Sequence, residues 1–600
     1  MNKNLIIAVS CFVIALSMFN ANATTVIRLS PSADDMTPVL AKALQGTTDK
    51  DIKIIFEKGE YRFLADYAME RYTTVTNHDN GLKKVIFALD DYNSVEIEGN
   101  GANFIFHGRV APFQVFNSQN ITIKNLSIDW DIPFTFLAEI MAVNEKEGWR
   151  DVKPRNGSHQ WALKNGKITF PNVDGFTFTE LGSSLPWEAD TKRVSLGAID
   201  LKSRPTHVEK LDNGLLRIYE KLDSYPPVGS LFSSKGDRNV HRYAPAFHMK
   251  NAKNVEMSNV VVHHALGMGF LFERTEDIAL RKVGVYLSEG SDRVISTIAD
   301  ATHFANCKGH VLIEDSRFEN MLDDGTNLRG TYVMVDEVIN DKTLRFKFGH
   351  FEQLGYEFAA PGDEVWLIQQ PNTERQQVNI ISKVNVINEE YSELTFEQTL
   401  PKNLQKGDLI ENKTWYPSFT MRGTTIKNNR ARNVVIKTPL KTVIEDNYFS
   451  SMMASILFRG ESFFWFEAGA VGDVLIQNNH FEYNSYYGGE QAVLYITPRL
   501  GKVFNQKQLY DQNIRFINNK INTHGGRIVW ADRIDGIVVE NNSIERSIHK
   551  AQLFPDAPVF EFKNSQNVTL KNNRYIGDYN VAVVVDKTSG ETLKDDGSIK

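Results

Sequence analysis

The chain has 600 residues, with 67 lysines and arginines against 74 aspartates and glutamates, a formal net charge of −7. That balance argues against nucleic acid or an anionic membrane surface as a partner. Two cysteines in so long a chain exclude a disulfide-stapled scaffold, so the fold must rest on a continuous apolar core.

Residues 1–23 read as a secretory leader. Lys3 supplies a basic start, residues 5–19 an apolar run, and Ala21-Asn22-Ala23 a small-x-small cleavage site. The run is too short and too early for a membrane span, and Ala8-Val9-Ser10 before Cys11 matches a lipoprotein box poorly. The expectation is cleavage after Ala23 and export to the periplasm of a Gram-negative bacterium or beyond it. Cys307 is then the sole cysteine left. Residues 36–44 are the one helical stretch of consequence, placed to cap the open end of a coil.

The dominant pattern is a recurring strand and corner, apolar–x–apolar–x–Asn–Asn–x–apolar. It runs through Ile426/Asn428-Asn429, Ile444/Asp446-Asn447, Val474/Asn478-Asn479, Phe516/Asn518-Asn519, Val539/Asn541-Asn542 and Leu570/Asn572-Asn573. Looser copies stand at Val95, Ile121, Val255 and Ile278. Period-2 alternation marks strands, and asparagine tolerates the left-handed backbone of a tight corner. Successive pairs lie 18, 32, 40, 23 and 31 residues apart, the length of a solenoid repeat with loops of variable size. Hairpins would favour Asn-Gly over Asn-Asn followed by an apolar residue. The fold class expected is all-β, a right-handed parallel β-helix.

The coil pattern covers residues 24–130, breaks over 131–245, returns over 246–330, breaks again over 331–415 and resumes over 416–586, before a polar tail at 587–600. Both breaks hold alternating strands with charged or glycine turns, and read as two small antiparallel β-barrels inserted into the coil.

Residues one coil apart stand about 5 Å apart, the strand spacing. Asp300 precedes the Asp323-Asp324 pair by 23 residues, equal to the one-coil step from Val255 to Ile278. The three carboxylates are therefore expected on adjacent rungs. Three carboxylates that close cannot all ionise, and a protonated acid beside ionised bases is the equipment of a glycoside hydrolase. On spacing alone, Asp323-Asp324-Gly325 is equally readable as a turn.

The paired segments Ala299-Asp300-Ala301-Thr302-His303 and Leu322-Asp323-Asp324-Gly325-Thr326-Asn327, in an exported β-helix with two inserted barrels, resemble glycoside hydrolase family 110 over essentially the whole mature chain. The resemblance implies an exo-acting, inverting, metal-independent α-1,3-galactosidase acting on blood-group-B-type glycans and on some linear α-1,3-galactosides. It further implies that Asp300 is the general acid and that Asp323 and Asp324 activate water. Galactose-terminated oligosaccharides and glycoconjugates are then the partners, and no cofactor or metal is expected.

Further candidates for holding sugar are Asn327 and Arg329 after the acidic pair, His303, Asp129 and Asp131 where the first insertion leaves, and Trp465 with Glu467 in Phe463-Phe464-Trp465-Phe466-Glu467. Each has a plainer reading, as core, turn or structural ion pair. His263-His264 is a poor metal pair, since an extended backbone sends the two rings to opposite faces. No zinc spacing, phosphate loop or dinucleotide fingerprint is present. Two other functions fit a β-helix: a polygalacturonase or polysaccharide lyase, which would want a basic groove, and a non-catalytic glycan-binding module, which would need no acidic trio.

Overall fold

The computed structural model describes residues 24–599 apart from 238–240, 372–374, 376, 502–507 and 548–550. The expected leader therefore lies outside the described residues. Nearly all of the regular structure is strand. Three parallel ribbons wind around one core. The first runs from Thr25–Leu29 through Asp51–Phe56 to Gln566–Lys571, the second from Glu60–Phe63 to Arg574–Ile576, and the third from Ala111–Phe116 to Val583–Val585. The architecture is a parallel β-helix. The helix Thr37–Gln45 buries Leu40 in the core at its N-terminal end.

The Asn-Asn corner has a separable job for each residue. The first takes the left-handed backbone: φ is +59° at Asn428, +57° at Asn478, Asn518 and Asn541, and +53° at Asn572. The second turns inward and is buried. There Asn447, Asn479, Asn519, Asn542 and Asn573 form a ladder in which each amide NH₂ donates to the next carbonyl oxygen, at 3.0, 3.1, 3.1 and 2.9 Å. The backbone N–H of each also reaches the same acceptor. Polar groups so buried must be paired, and identical side chains on stacked rungs pair one another. Phenylalanines do the apolar equivalent: Phe87, Phe113, Phe247 and Phe270 stack at 4.0, 4.5 and 5.1 Å.

The first insertion is a seven-stranded antiparallel sheet containing Phe136–Asn144, Trp149–Pro154, Gly182–Trp187 and Leu231–Ser234. The second grows directly out of the coil. Thr326–Val338 begins as a coil strand beside Val434–Ile436, then continues into a barrel. Its partners Thr343–Phe348, Tyr391–Phe396, Gln377–Val386, Glu364–Ile368 and Leu409–Asn412 return to it, closing six strands.

Candidate active site

The third ribbon sets the site. Thr302–Ala305 pairs with the strand that starts at Thr326, and Thr302 stands opposite Thr326. The step is thus 24 residues rather than the 23 inferred from the neighbouring coil, because this coil carries one residue more where Lys308–Val311 faces Glu276–Ile278. Asp324, rather than Asp323, faces Asp300 directly: the Ala301 N–H donates to the Asp324 carbonyl at 2.9 Å and the Asp324 N–H to Asp300 Oδ1 at 3.3 Å. One oxygen from each of Asp300, Asp323 and Asp324 lies within 4.8 Å of the other two.

The trio lines a cavity of about 680 Å³. One wall is the coil surface. The first insertion supplies Ser183, Asp200, Ser233 and Lys235, and the loop after Gly460 supplies Glu461, Trp465 and Glu467. The side chains of Asp300 and Asp324 are 5% and 2% exposed, that of Asp323 17%.

Their electrostatics differ sharply. Burial and the Asp323 charge push Asp300 up to about 8, against Arg242 and Arg432. Burial would raise Asp323 too, but Arg430, Arg242, Arg432 and Lys235 outweigh it and hold Asp323 at about 2. Its Oδ2 accepts from Arg242 at 2.8 Å and its Oδ1 lies 3.5 Å from Arg430. Asp324 accepts from Arg432 Nη2 at 2.9 Å and from its backbone N–H at 3.1 Å, yet burial, reinforced by Asp323 and Asp300, pushes it well above the carboxylate range. The cluster therefore holds a proton at neutral pH, with Asp323 ionised.

A chain of bonds fixes where the proton on Asp300 sits. Arg329 Nε donates to His303 Nε2 at 3.2 Å, so that ring nitrogen is an acceptor and Nδ1 carries the hydrogen. His303 Nδ1 then donates to Asp300 Oδ2 at 2.8 Å. Burial and Arg329 push His303 down to about 3, which keeps the ring neutral. With Oδ2 held by this short bond and Oδ1 only by the longer one from the Asp324 N–H at 3.3 Å, the acid proton belongs on Oδ1.

Asn327 Nδ2 lies 3.5 Å from Asp324 Oδ2, and its Oδ1 is buried without a partner at the cavity wall. Glu467, within the cavity, ion-pairs with Lys437 and Arg329; burial opposes these charges, and they hold it far below the usual range. Trp465 lines the cavity beside His350, ring centroids 4.5 Å apart.

The structure places the remaining candidates elsewhere. Arg329 lies behind the wall, fully buried, with Nη1 on Thr331 and Nη2 on Thr76 and Asn77, so it holds His303 instead of meeting sugar. Asp129 accepts from Arg293 on both oxygens and from the Trp130 N–H, and Asp131 is tied to His107 and Arg62. Neither lines the cavity.

The cationic shell of Arg242, Arg430, Arg432, Lys235 and Lys437 escaped sequence reasoning. One signal was available: Asp324 is in register with Arg432 on the next rung, through the Thr326–Val434 pair. The barrel stretches that rung to 108 residues and hides it.

Family models described as GLAA-B beta-barrel domain I and GLAA-B beta-barrel domain II match residues 136–232 and 343–410. The chain is 32% identical over 556 residues to alpha-1,3-galactosidase A of Shewanella woodyi, spanning 91% of this chain and 89% of that protein. It is 30% identical over 609 residues to an alpha-1,3-galactosidase B of Phocaeicola vulgatus, spanning 95% and 98%. Among solved structures it is similar to a mannuronan C-5 epimerase A-module of Azotobacter vinelandii, with a TM-score of 0.39 at 10% identity, over 91% of this chain and 97% of that one.

Proposed function

The chain belongs to glycoside hydrolase family 110, and from that premise we propose that it is an exported, exo-acting α-1,3-galactosidase that removes terminal α-1,3-linked galactose from blood-group-B-type glycans, branched and linear, with inversion. The observation that carries the reading is the pair of unlike carboxyls in one cavity, Asp300 poised at about 8 and Asp323 at about 2. The relatives named alpha-1,3-galactosidase supply the sugar and the linkage.

In this mechanism Asp300 delivers the proton on Oδ1 to the glycosidic oxygen as the bond to the anomeric carbon breaks. Water held by Asp323 and Asp324 attacks from the opposite side and gives up its proton to that carboxylate pair, giving β-galactose and leaving Asp300 ionised. Inversion comes from the family reading. The nearest oxygens of the trio lie within 4.8 Å of one another, closer than the ~6.5–9.5 Å usual between inverting carboxyls, and what favours inversion locally is that both oxygens of Asp323 face guanidinium groups. A carboxylate so neutralised is a weak covalent nucleophile and a good anchor for water. A cavity walled by an insertion, and not an open groove, supports cutting at a chain end. Three clustered carboxylates are also a set that could hold a divalent ion. Arg242, Arg430 and Arg432 already supply the positive charge there, so full activity is expected in chelator. Loss in EDTA with recovery on adding calcium would turn the assignment toward a lyase-like reaction.

One observation favours a second division of labour. Asp323 is the most exposed of the three, and in that reading the proton held by the cluster first moves from Asp300 or Asp324 to Asp323, which then protonates the leaving oxygen while the other two hold the water. Asp→Asn variants separate the two. The variant lacking the acid keeps most of its rate on an aryl galactoside with a good leaving group but fails on a disaccharide; variants lacking the base fail on both. Early-time proton NMR reads the stereochemistry, and α-galactose as first product would defeat inversion.

A further inference from the structure

The cavity is lined by eight lysines and arginines against six carboxylates. At its floor the charges are matched by ion pairs: Arg242 and Arg430 with Asp323, Arg432 with Asp324, Lys437 with Glu467. The wall formed by the C-terminal coils is different. Arg459 donates Nε–H to the Thr497 carbonyl at 3.3 Å, and its guanidinium lies over the Tyr495 ring at 5.2 Å. Tyr495 in turn stacks on Trp530 of the next rung at 4.7 Å, and Arg527 covers Trp530 at 4.1 Å. The stack occupies the ring faces, so it is no platform for a sugar; it is a mount that fixes the Arg459 guanidinium.

Among the described residues, Nη1 and Nη2 of Arg459 bond to nothing, and they open on the cavity. Arg499 stands on the neighbouring rung, its side chain half exposed, with Glu461 no nearer than 3.9 Å. The two guanidiniums repel: burial, then Arg499 and Arg432, push Arg459 down to about 10. Among the described residues, a rigidly mounted arginine with no carboxylate partner stands beside a half-exposed one whose ion pair to Glu461 is long, at 3.9 Å, and the two make a fork set for an oxyanion.

We propose that Arg459 and Arg499 form a subsite for an anionic substituent, a sulfate ester or a carboxylate, carried on the sugar that leaves with the glycosidic oxygen. The placement on the leaving side rests on the exo-galactosidase reading above. The terminal galactose must reach the buried trio, so the rest of the substrate points to the mouth, where Arg499 is 50% exposed.

The test uses the full-length mature enzyme and three α-1,3-galactosides differing only in the leaving sugar: galactose, galactose bearing one sulfate ester, and galacturonate. An anionic substrate is expected to exceed the neutral one in kcat/KM by about 10-fold at low salt, with the ratio falling toward one between about 50 and about 500 mM NaCl as the charges are screened. The ratio should drop by about 5-fold or more in Arg459→Gln and in Arg499→Gln. The two anionic arms show whether the fork prefers a sulfate or a carboxylate. A ratio at or below one for both anionic substrates in the wild type overturns the proposal, as does a ratio that survives in both variants. Calorimetric titration of free galactose sulfate into wild type and Arg459→Gln gives a readout besides turnover. If the neutral galactoside is not cleaved at all, the galactosidase reading fails, while selective binding of the anion to the wild type would still establish the fork. Equal binding by wild type and variant would refute it.

Discussion

Two polar stacks run along this β-helix and behave as opposites. The asparagine ladder from Asn447 to Asn573 is neutral, and each amide meets both a donor and an acceptor. The column on the third ribbon, Asp300–Asp324–Arg432 with His303 and Asn327 beside it, uses the same rung-to-rung contacts. There, burial and mutual repulsion leave more carboxylates than the site can ionise. Stacking identical neutral amides makes a structural spine. Stacking like charges makes a store of protons, tolerated because arginines surround it.

The largest effect expected on either stack is catalytic. Asp300→Asn should lower kcat/KM on an α-1,3-galactobioside by about 10²–10⁴-fold, the usual range for general acid help, with a much smaller loss on an aryl galactoside. Asp323→Asn and Asp324→Asn should lose comparable rate on both substrates. If Asp300→Asn keeps near-full rate on the disaccharide while folded, the charged column is not the reaction centre and the contrast between the stacks collapses.

The ladder should respond in stability alone. Asn519→Ala removes the acceptor for two Asn479 N–H groups and the donor to the Ile476 carbonyl and to Asn542. Each buried group left unpaired costs about 1–3 kcal/mol, so a loss of about 3 kcal/mol or more is expected in chemical denaturation. The residual folded fraction should show unchanged kcat/KM. A drop in kcat/KM without loss of stability would mean the ladder is coupled to the site.

This division explains what could be read in the sequence. The ladder announces itself because its chemistry repeats in the same letters at every corner. The acidic trio was legible because two of its members are adjacent and the third is one coil away. Arg432 was not, because the second barrel interrupts its rung, and Arg242 and Lys235 come from the first insertion, whose strands carry no coil register. Arg329 was misleading for a different reason. Its position two residues after Asn327 puts it on the same sheet face, yet Thr76 and Asn77 from a distant segment cover it and turn it into a support for His303.

That support gives the next prediction. His303 Nδ1–H stabilises the ionised form of Asp300, so His303→Leu should raise the pKa of the acid. The alkaline limb of kcat/KM, expected near 8 in the wild type, should move upward, with about 10-fold loss in kcat from a less fixed carboxyl. A variant that loses rate with an unmoved limb would make His303 merely structural.

The smallest effect links the charged column back to folding. Asp300 has its folded pKa raised from 3.8 to about 8. The sign follows from linkage: such a group contributes its full stability below the unfolded value and loses it as pH rises through the folded one. Between those limits the folded protein holds a proton that the unfolded chain releases, and the difference grows with pH. Asparagine has no proton to lose, so Asp300→Asn should gain on the wild type as pH rises from about 4 and gain nothing more above about 8. The reading is the difference in melting temperature between variant and wild type, taken at intervals from pH 4 to pH 9. Asp323, held at about 2 by its arginines, titrates below this range: Asp323→Asn should show a loss of stability already complete at pH 4 and constant to pH 9, because it removes an ionised partner and leaves Arg242 and Arg430 facing each other. If Asp300→Asn also tracks the wild type in parallel, the poise of the acid does not come from burial. It would then have to come from the substrate, whose entry alone would create the strained column that the ladder lacks.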